Sequence, residues 1–185
     1  MNKIIIGIHG QIGSGKTTAV NELKKLDFHE LAFANPLKDF ICNLFMLNRH
    51  LMDDQDYKNT IDPRWGKSPR ELMQLGGTEF VRKMIHPDFW VMRLEAELYK
   101  VKHDKIVISD VRFPNEAYLV REYGNLIHIK RPDNPYKKVG IQKHDSEQIL
   151  EIAYNDFSVT NEDLEKFKKD IKYLGKLIIN RGKDK

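Results

Sequence analysis

The chain has 185 residues, of which 41% are hydrophobic and 31% are charged, and its formal net charge is +4 with an isoelectric point near 9.0. These values indicate one globular domain rather than a disordered or membrane chain. The apolar run near the N-terminus stops at His9, far short of the ~20 residues that a membrane span requires. No signal peptide pattern is present. Since a single cysteine cannot form an internal disulfide, we expect a cytoplasmic protein.

The first elements alternate between strands and helices. Residues 3–8 form a short apolar run that ends in a glycine-rich turn, which is typical of a buried parallel strand. A helix is predicted over residues 16–26 and a second strand over residues 30–33. Pro36 then favours the start of a helix that runs to about residue 48. This β-α-β-α order predicts an α/β fold.

The middle of the chain is predicted to be mainly helical. Residues 51–67 are polar and lack a period, which indicates a loop or a partly helical excursion. The segment S-P-R-E at residues 68–71 has the form of a capping box, so we expect a helix to begin there. Gly76 and Gly77 are expected to interrupt that helix, with helical patterns resuming over residues 80–85 and 88–100.

The chain after residue 104 supplies three further strands, which complete a five-stranded α/β domain. Residues 131–147 contain Pro, Lys and Gly without a clear period, and they follow the fourth strand as a candidate lid. The strands are predicted over residues 105–109, 126–130 and 157–160, and the helices over residues 115–123 and 162–180.

A phosphate-binding motif follows the first strand. Residues 10–17 are G-Q-I-G-S-G-K-T, which satisfies G-x-x-x-x-G-K-[ST] between a predicted strand and a predicted helix. Glycines let the backbone wrap a polyphosphate, Lys16 is expected to reach the β and γ phosphates, and the Thr17 hydroxyl is expected to coordinate Mg²⁺. The predicted ATP contacts in this segment are Gly13, Ser14, Gly15, Lys16, Thr17 and Thr18.

An acidic residue ends the predicted strand at residues 105–109. Asp110 follows this apolar run at the carboxyl edge, where ligands gather in open α/β sheets. It is expected to orient Mg²⁺ through water or to accept a proton from the attacking oxygen. The alternative is a cap for the next helix.

Several segments in a fixed order resemble those of the phage deoxynucleoside monophosphate kinases. After G-Q-I-G-S-G-K-T come F-A-N-P-L-K, S-P-R-E-L-M-Q-L-G-G-T-E-F-V-R and S-D-V-R-F-P-N-E-A, supported by P-D-F-W, H-D-S-E and an Asn161 followed by E-D-L. The resemblance covers residues 3 to about 165. There is no N-K-x-D tetrapeptide, which argues against a GTPase.

This resemblance implies a P-loop kinase fold and a phosphotransferase. The expected architecture is a single domain over residues 1–185, with a five-stranded parallel sheet, a helical acceptor-binding insertion at about residues 35–100 and a lid at about residues 131–147. The expected reaction is ATP-dependent, Mg²⁺-requiring conversion of deoxynucleoside 5′-monophosphates to diphosphates, for deoxynucleotide supply. The host cytoplasm is expected if a phage encodes the chain.

The resemblance also assigns residues to the reaction. Since phosphoryl transfer depends mainly on positioning and charge neutralisation, Lys16, Asp110 and Arg112 are the expected catalytic residues, and Thr17 and Asp110 the expected metal ligands. The predicted acceptor contacts are Phe33, Lys38, Arg70, Gln74, Thr78, Arg82, Trp90 and Arg112. A solvated charge remains the alternative for Lys38 and Arg70, and a place in the core remains the alternative for the two aromatic residues.

The lid contributes cations of its own. Arg131, Lys137, Lys138 and Lys143 are expected to close over the ATP phosphates, and Arg131 is also a candidate for stacking on adenine. Better-known nucleoside monophosphate kinases use lid arginines, so the group that stabilises the transferring phosphoryl remains open here. His144 is interpreted as a solvated residue and Cys42 as a core residue.

Three other functions stay open at this point. Another small-acceptor kinase, such as one acting on dephospho-coenzyme A, would share the fold, and a nucleotide-controlled binding module would bind ATP without an acceptor. Only the positive charge supports a nucleic-acid-binding ATPase, and much of this charge is interleaved with acids on the closing helix. We therefore do not expect polymeric nucleic acid as a ligand. A homodimer is a further candidate assembly.

Overall fold

Five parallel strands form one sheet, as predicted. The computed structural model describes residues 3–134 and 150–183. The strands are β1 (Ile4–His9), β2 (His29–Leu31), β3 (Lys105–Val111), β4 (Asn125–Lys130) and β5 (Phe157–Thr160). Their order is β2-β3-β1-β4-β5, and every neighbouring pair is parallel. The predicted α/β fold is confirmed.

Seven α-helices accompany the sheet in the described residues. They are α1 (Lys16–Lys24), α2 (Asn35–Leu44), α3 (Gln55–Asn59), α4 (Pro69–Gln74), α5 (Phe89–Lys100), α6 (Pro114–Tyr123) and α7 (Leu164–Lys183). A 3₁₀ turn (Arg49–Leu51) precedes α3, and a π-helix (Leu75–Ile85) follows α4. Within the described part of the chain, no helix is both long and apolar enough to cross a membrane.

The sheet is buried on both faces, which explains why its strands are continuous apolar runs. Successive side chains of a strand point to opposite faces. Ile5 on β1 therefore packs with α2, α4, α5 and α6, whereas Ile6 and Ile8 pack with α1 and α7. The same alternation separates Ile106 from Val107 on β3.

The expected interruption at Gly76 and Gly77 is wrong. The backbone passes from α4 directly into the π-helix without leaving a helical path. A Cβ atom would lie 2.8 Å from the side chain of Ile41 at Gly76 and 2.4 Å from that of Leu37 at Gly77. The glycines thus allow the helix to pack closely on α2, and here tertiary packing outweighs the low helix propensity of glycine.

Smaller differences concern element ends. Helix α2 ends at Leu44, four residues before the predicted end, and Met46 soon afterwards adopts a positive φ of 51°. The capping box at Ser68 is present as predicted: its hydroxyl accepts the N–H of Glu71, whose carboxylate accepts the N–H of Ser68. Residues 135–149, which include most of the predicted lid, lie outside the described residues.

The topology brings distant segments to one edge. Strand β1 lies between β3 and β4, so the chain leaves β1 toward β2 and β3 on one side and toward β4 and β5 on the other. Ligands of open α/β sheets bind beyond the carboxyl ends of the strands at such a switch point. The glycine-rich loop, Asp110 and the segment after β2 all lie at this edge.

Candidate functional site

A cleft of about 900 Å³ opens at the carboxyl edge of the sheet. Its volume lies within the ~300–1,000 Å³ typical of small-molecule sites. The glycine-rich loop and α1 form one wall, and the segment after β2, together with α3, α4 and the π-helix, forms the other. Twelve predicted residues that the structure describes line it together with the loop glycines Gly13 and Gly15: Lys16, Thr17, Phe33, Lys38, Arg70, Gln74, Thr78, Arg82, Trp90, Asp110, Arg112 and Arg131.

The glycine-rich loop has the backbone conformation that its sequence suggests. Gly13 and Gly15 have φ values of 75° and 109°, a region that residues with a side chain rarely adopt. A Cβ at Gly15 would also lie 2.5 Å from the amide nitrogen of Asn161. Gly15 caps α1, so the loop leads directly into a helix N-terminus, where phosphate groups bind.

Lys16 lies across this loop. Its Nζ donates to the carbonyl oxygens of Gly10 at 2.6 Å and Gln11 at 2.8 Å. The ammonium group is therefore held at the wall of the cleft beside Thr17. A cation in this position balances the negative charge of a polyphosphate that the loop surrounds.

Side chains from later segments fix the peptide planes of the loop. Asn134 donates to the carbonyl of Ile12 at 2.6 Å, Arg131 to that of Gly13 at 3.0 Å and Asn161 to that of Ser14 at 2.8 Å. Of these three, only Arg131 was predicted as a site residue. Asn161 belongs to one of the segments that carry the resemblance to phage deoxynucleoside monophosphate kinases, but no role was predicted for it. Asn134 had no recognisable motif in the sequence.

Asp110 joins two strand ends. Its Oδ1 accepts the N–H of Phe33 at 2.8 Å, and its Oδ2 accepts the N–H of Ala34 at 2.9 Å. The carboxylate thereby holds the β2–α2 segment against β3 while still lining the cleft. Asp110 and the Thr17 hydroxyl are the hard oxygen donors that Mg²⁺ prefers, so the residues present fit this ion.

One helical face supplies much of the second wall. Arg70, Gln74, Thr78 and Arg82 occur every fourth residue, and because α4 continues into the π-helix they all line the cleft. All four side chains are buried. These four residues form one row because α4 begins where it was predicted to begin and because, contrary to prediction, the helical backbone continues across Gly76 and Gly77.

Arg70 is not the solvated charge that the alternative interpretation proposed. It is 8% exposed, and its guanidinium donates to the side-chain oxygens of Asn59 at 2.7 Å and Gln55 at 2.8 Å. Both partners are neutral amides on α3, so they orient the guanidinium without neutralising its charge. Neither amide was recognised from the sequence.

Arg82 is differently placed, because a carboxylate balances its charge. It forms a buried ion pair with Glu116, donates to the carbonyl of Pro87 and stacks 3.8 Å from the centre of the Phe113 ring. Glu116 also accepts the N–H groups of Arg112 and Phe113. Burial raises the pKa of Glu116 to about 7, although Arg82 and the N–H donors oppose this shift.

The deeper part of the cleft combines apolar and neutral polar groups. Phe33 and Trp90 are 5% and 7% exposed, and the Trp90 indole donates to the carbonyl of Gly77 at 3.1 Å. Both rings nevertheless line the cleft. Gln74 is buried among them, and its Oε1 accepts no hydrogen bond from any residue that the structure describes.

Some predicted residues do not line the cleft. Ser14 is 2% exposed, with its hydroxyl directed toward Gly10, and Thr18 lies on α1 away from the opening. Lys137, Lys138, Lys143 and His144 fall outside the described residues. Cys42 lies on α2 and packs in the core with Leu37 and Ile41 of the same helix. Lys58 and Glu116 line the cleft without having been predicted.

Comparison with known proteins gives a consistent set of relatives. The family model described as deoxynucleotide monophosphate kinase matches residues 47–171. A putative deoxynucleotide monophosphate kinase of Acanthamoeba polyphaga mimivirus is 36% identical over 187 residues, covering 89% of this chain and 92% of the relative. The deoxynucleoside-5′-monophosphate kinase of Escherichia phage T5 is 48% identical over 59 residues, covering 32% of this chain and 24% of that protein.

Two solved structures share the fold. A Thermus thermophilus protein matches with a TM-score of 0.54 at 15% identity, over 96% of this chain and 97% of that one. An unliganded sugar kinase from Janibacter sp. HTCC2649 matches with a TM-score of 0.50 at 12% identity, over 96% and 95% of the two chains. At these identities the likeness concerns the fold alone.

Proposed function

This chain belongs to the deoxynucleotide monophosphate kinase family, and from that membership we propose that it transfers the γ-phosphate of ATP to a deoxynucleoside 5′-monophosphate. The products are ADP and the deoxynucleoside diphosphate, one phosphorylation short of a DNA precursor. One observation carries the proposal. A glycine-rich phosphate loop and a wall rich in Lys and Arg face each other across a single cleft, which suits a donor polyphosphate and an acceptor phosphate.

The donor side is proposed to bind ATP through the loop. Backbone N–H groups at the start of α1 would contact the phosphates, and Lys16 would contact the β and γ phosphates. Thr17 and Asp110 would hold Mg²⁺, which neutralises charge on the polyphosphate when bound. Arg131 already contacts Gly13 of the loop, which supports a place beside the nucleotide.

On the acceptor side, cationic side chains are proposed to bind the phosphate of the monophosphate, and the deeper part of the cleft is proposed to bind its base. Arg70, Arg112 and Lys38 line the cleft and carry the charge that a phosphate requires. Gln74 and Thr78 lie farther along the same helical face, and Phe33 and Trp90 provide apolar walls for a base. Arg82, balanced by Glu116, is expected to shape this pocket more than to add charge to it.

Transfer needs little covalent chemistry from these residues. An oxygen of the acceptor phosphate attacks the γ-phosphorus in line, the bond from that phosphorus to the β–γ bridging oxygen breaks, and ADP leaves with that oxygen. Lys16 and Arg112 would stabilise the charge spread over the moving phosphoryl group from either side. Asp110 would keep the β2–α2 segment, and hence the acceptor wall, in position.

The test is a coupled ADP-release assay with Mg²⁺-ATP. Each of dTMP, dGMP, dCMP, dAMP, the corresponding ribonucleotides and dephospho-coenzyme A is offered in turn, with Lys16→Ala as the control. We expect one or more deoxynucleotides to stimulate ADP release, with the stimulation lost in Lys16→Ala. Stimulation by dephospho-coenzyme A alone would replace the acceptor. Slow release that no acceptor changes would instead favour a nucleotide-binding module.

The expected cellular compartment depends on the proposed activity. A kinase that supplies DNA precursors works where nucleotides are made, so the cytoplasm is the expected compartment. No large apolar span occurs in the described helices. A homodimer stays a prediction that gel filtration with light scattering would test.

A further inference from the structure

Helix α3 places a lysine in the acceptor half of the cleft. Lys58 is half-buried and lines the cleft opposite the glycine-rich loop. Its neighbour on α3, Asn59, holds the guanidinium of Arg70, so the position of α3 is coupled to that of α4. No motif marked Lys58 in the sequence, because it sits in a polar segment without a period.

The charges around Lys58 are mostly of its own sign. Lys38 on α2, Arg70 on α4 and Arg112 after β3 all line the same cleft, and all three repel the Lys58 ammonium. Among the described residues, the acid that faces Lys58 is Asp53, whose carboxylate already accepts a hydrogen bond from Lys38 at 2.8 Å. Within residues 3–134 and 150–183, the charged side chains that act on the Lys58 ammonium are therefore three cations and one engaged carboxylate.

Lys58 itself has no close partner among the described residues. Within residues 3–134 and 150–183 its ammonium makes neither a hydrogen bond nor an ion pair within 4.0 Å. A half-buried charge with repulsive neighbours is unfavourable unless an anion joins it. The cavity beside it is where such an anion would lie.

On these grounds we infer that Lys58 is a binding residue for the 5′-phosphate of the acceptor. The inference rests on the proposed function, because it names the group that this function's acceptor would contact. It adds a residue and a measurable proton stoichiometry to the acceptor site.

The proton follows from the charge balance. Burial, with the repulsion of Lys38, Arg70 and Arg112, lowers the pKa of Lys58 to about 8. A phosphate dianion beside the amine favours its charged form, which raises this pKa again on binding. At pH 8 roughly half of the free molecules hold a neutral amine, so binding takes up about half a proton. Only the molecules with a protonated Lys58 bind the phosphate, so the acceptor dissociation constant rises roughly tenfold from pH 7 to pH 9.

Titration calorimetry of the full chain with the monophosphate that stimulates the enzyme tests this inference. Measurements at pH 8 in two buffers of different ionisation enthalpy give the number of protons taken up. Lys58→Arg keeps its positive charge at every pH, so we expect this variant to bind the monophosphate with wild-type affinity at pH 7. It should take up no proton through position 58, and its dissociation constant should no longer depend on pH through this group. Lys58→Met should bind at least tenfold more weakly at pH 7. Thermal unfolding of each variant shows that it is folded.

Controls separate this position from general charge effects. Lys67 is an exposed lysine outside the cleft, so Lys67→Met should bind like the wild type. The inference is overturned if Lys58→Arg takes up the same number of protons as the wild type, or if Lys58→Met binds unchanged. It is also overturned if the proton is taken up with a non-hydrolysable ATP analogue alone. If the wild type binds no monophosphate, the proposed function fails instead.

Discussion

Gln74 shows how a single buried side chain can report on a ligand. Its amide lies on the helical face between Arg70 and Thr78, and its Oε1 accepts no hydrogen bond within the described residues. Leaving a buried acceptor unpaired costs about 1–3 kcal/mol. An acceptor base that donates a hydrogen bond to this oxygen would remove that cost, whereas a phosphate dianion has no donor, so we propose that Gln74 contacts the base rather than the phosphate.

Replacing Gln74 by leucine should therefore weaken binding of the base but not of the sugar phosphate. We expect the affinity for a deoxynucleoside monophosphate to fall roughly 5- to 150-fold, because about 1–3 kcal/mol of hydrogen bonding is lost. The affinity for 2-deoxyribose 5-phosphate, which has no base, should stay unchanged. Calorimetry measures both ligands, with Met73→Leu as a volume-conserving control beside the same cleft. An equal loss for both ligands would contradict the assignment.

Local sequence chemistry was sufficient to predict some residues of the site and not others. Residues 10–17 could be recognised because a phosphate loop needs glycines, a lysine and a hydroxyl at fixed spacing, and Lys16 and Thr17 line the cleft as expected. The bonds of Asp110 to Phe33 and Ala34 join residues 77 and 76 positions apart in sequence. No local pattern specifies such contacts, so they appear only in the folded chain.

At the scale of elements, the continuous helix formed by α4 and the π-helix determines the acceptor wall. Glycine pairs usually interrupt helices, and the sequence therefore predicted a break. The contact of Gly76 and Gly77 with Ile41 and Leu37 is a property of the α2 surface, which lies more than thirty residues earlier in the chain. The helix ends were similarly less accurate than the existence of the helices, because packing and turns decide where each one stops.

The close contact between Gly77 and Leu37 can be tested by a double-mutant cycle. Gly77→Ala should destabilise the fold by about 1–3 kcal/mol, because the added methyl group overlaps a Leu37 methyl group. Leu37→Ala should cost about 2–5 kcal/mol by opening a cavity. The double variant should lose at least about 1 kcal/mol less than the sum, since the new methyl group occupies part of that cavity.

Urea unfolding measures each free energy of the cycle, and the acceptor KM gives an independent readout. Gly77 lies between Gln74 and Thr78, so Gly77→Ala should also raise the acceptor KM, and the double variant should recover part of it. Gly182→Ala is the control, because Gly182 lies at the end of α7, away from the cleft. Strictly additive free energies would show that Gly77 and Leu37 do not interact.

At the scale of the whole molecule, the order of the strands makes the site. Placing β1 between β3 and β4 brings the glycine-rich loop, Asp110 and the segment after β2 to one edge. Strand and helix alternation predicted the α/β class, and the family resemblance implied the parallel five-stranded sheet, whereas the order of the strands appears only in the folded chain. Lys38, Arg70 and Arg112 were predicted as acceptor contacts from the family resemblance. Lys58, which joins them in the cleft, was not predicted, because it lies in a polar segment without a period.

Following the γ-phosphate itself tests the proposed phosphoryl transfer. The wild-type chain and Lys16→Ala are each incubated with Mg²⁺-ATP labelled at the γ position and with the best deoxynucleoside monophosphate, and the products are separated by chromatography. We expect the label in the deoxynucleoside diphosphate with the wild type, and no labelled diphosphate with Lys16→Ala. Label that appears only as inorganic phosphate, or that remains in ATP, would contradict a kinase acting on deoxynucleoside monophosphates.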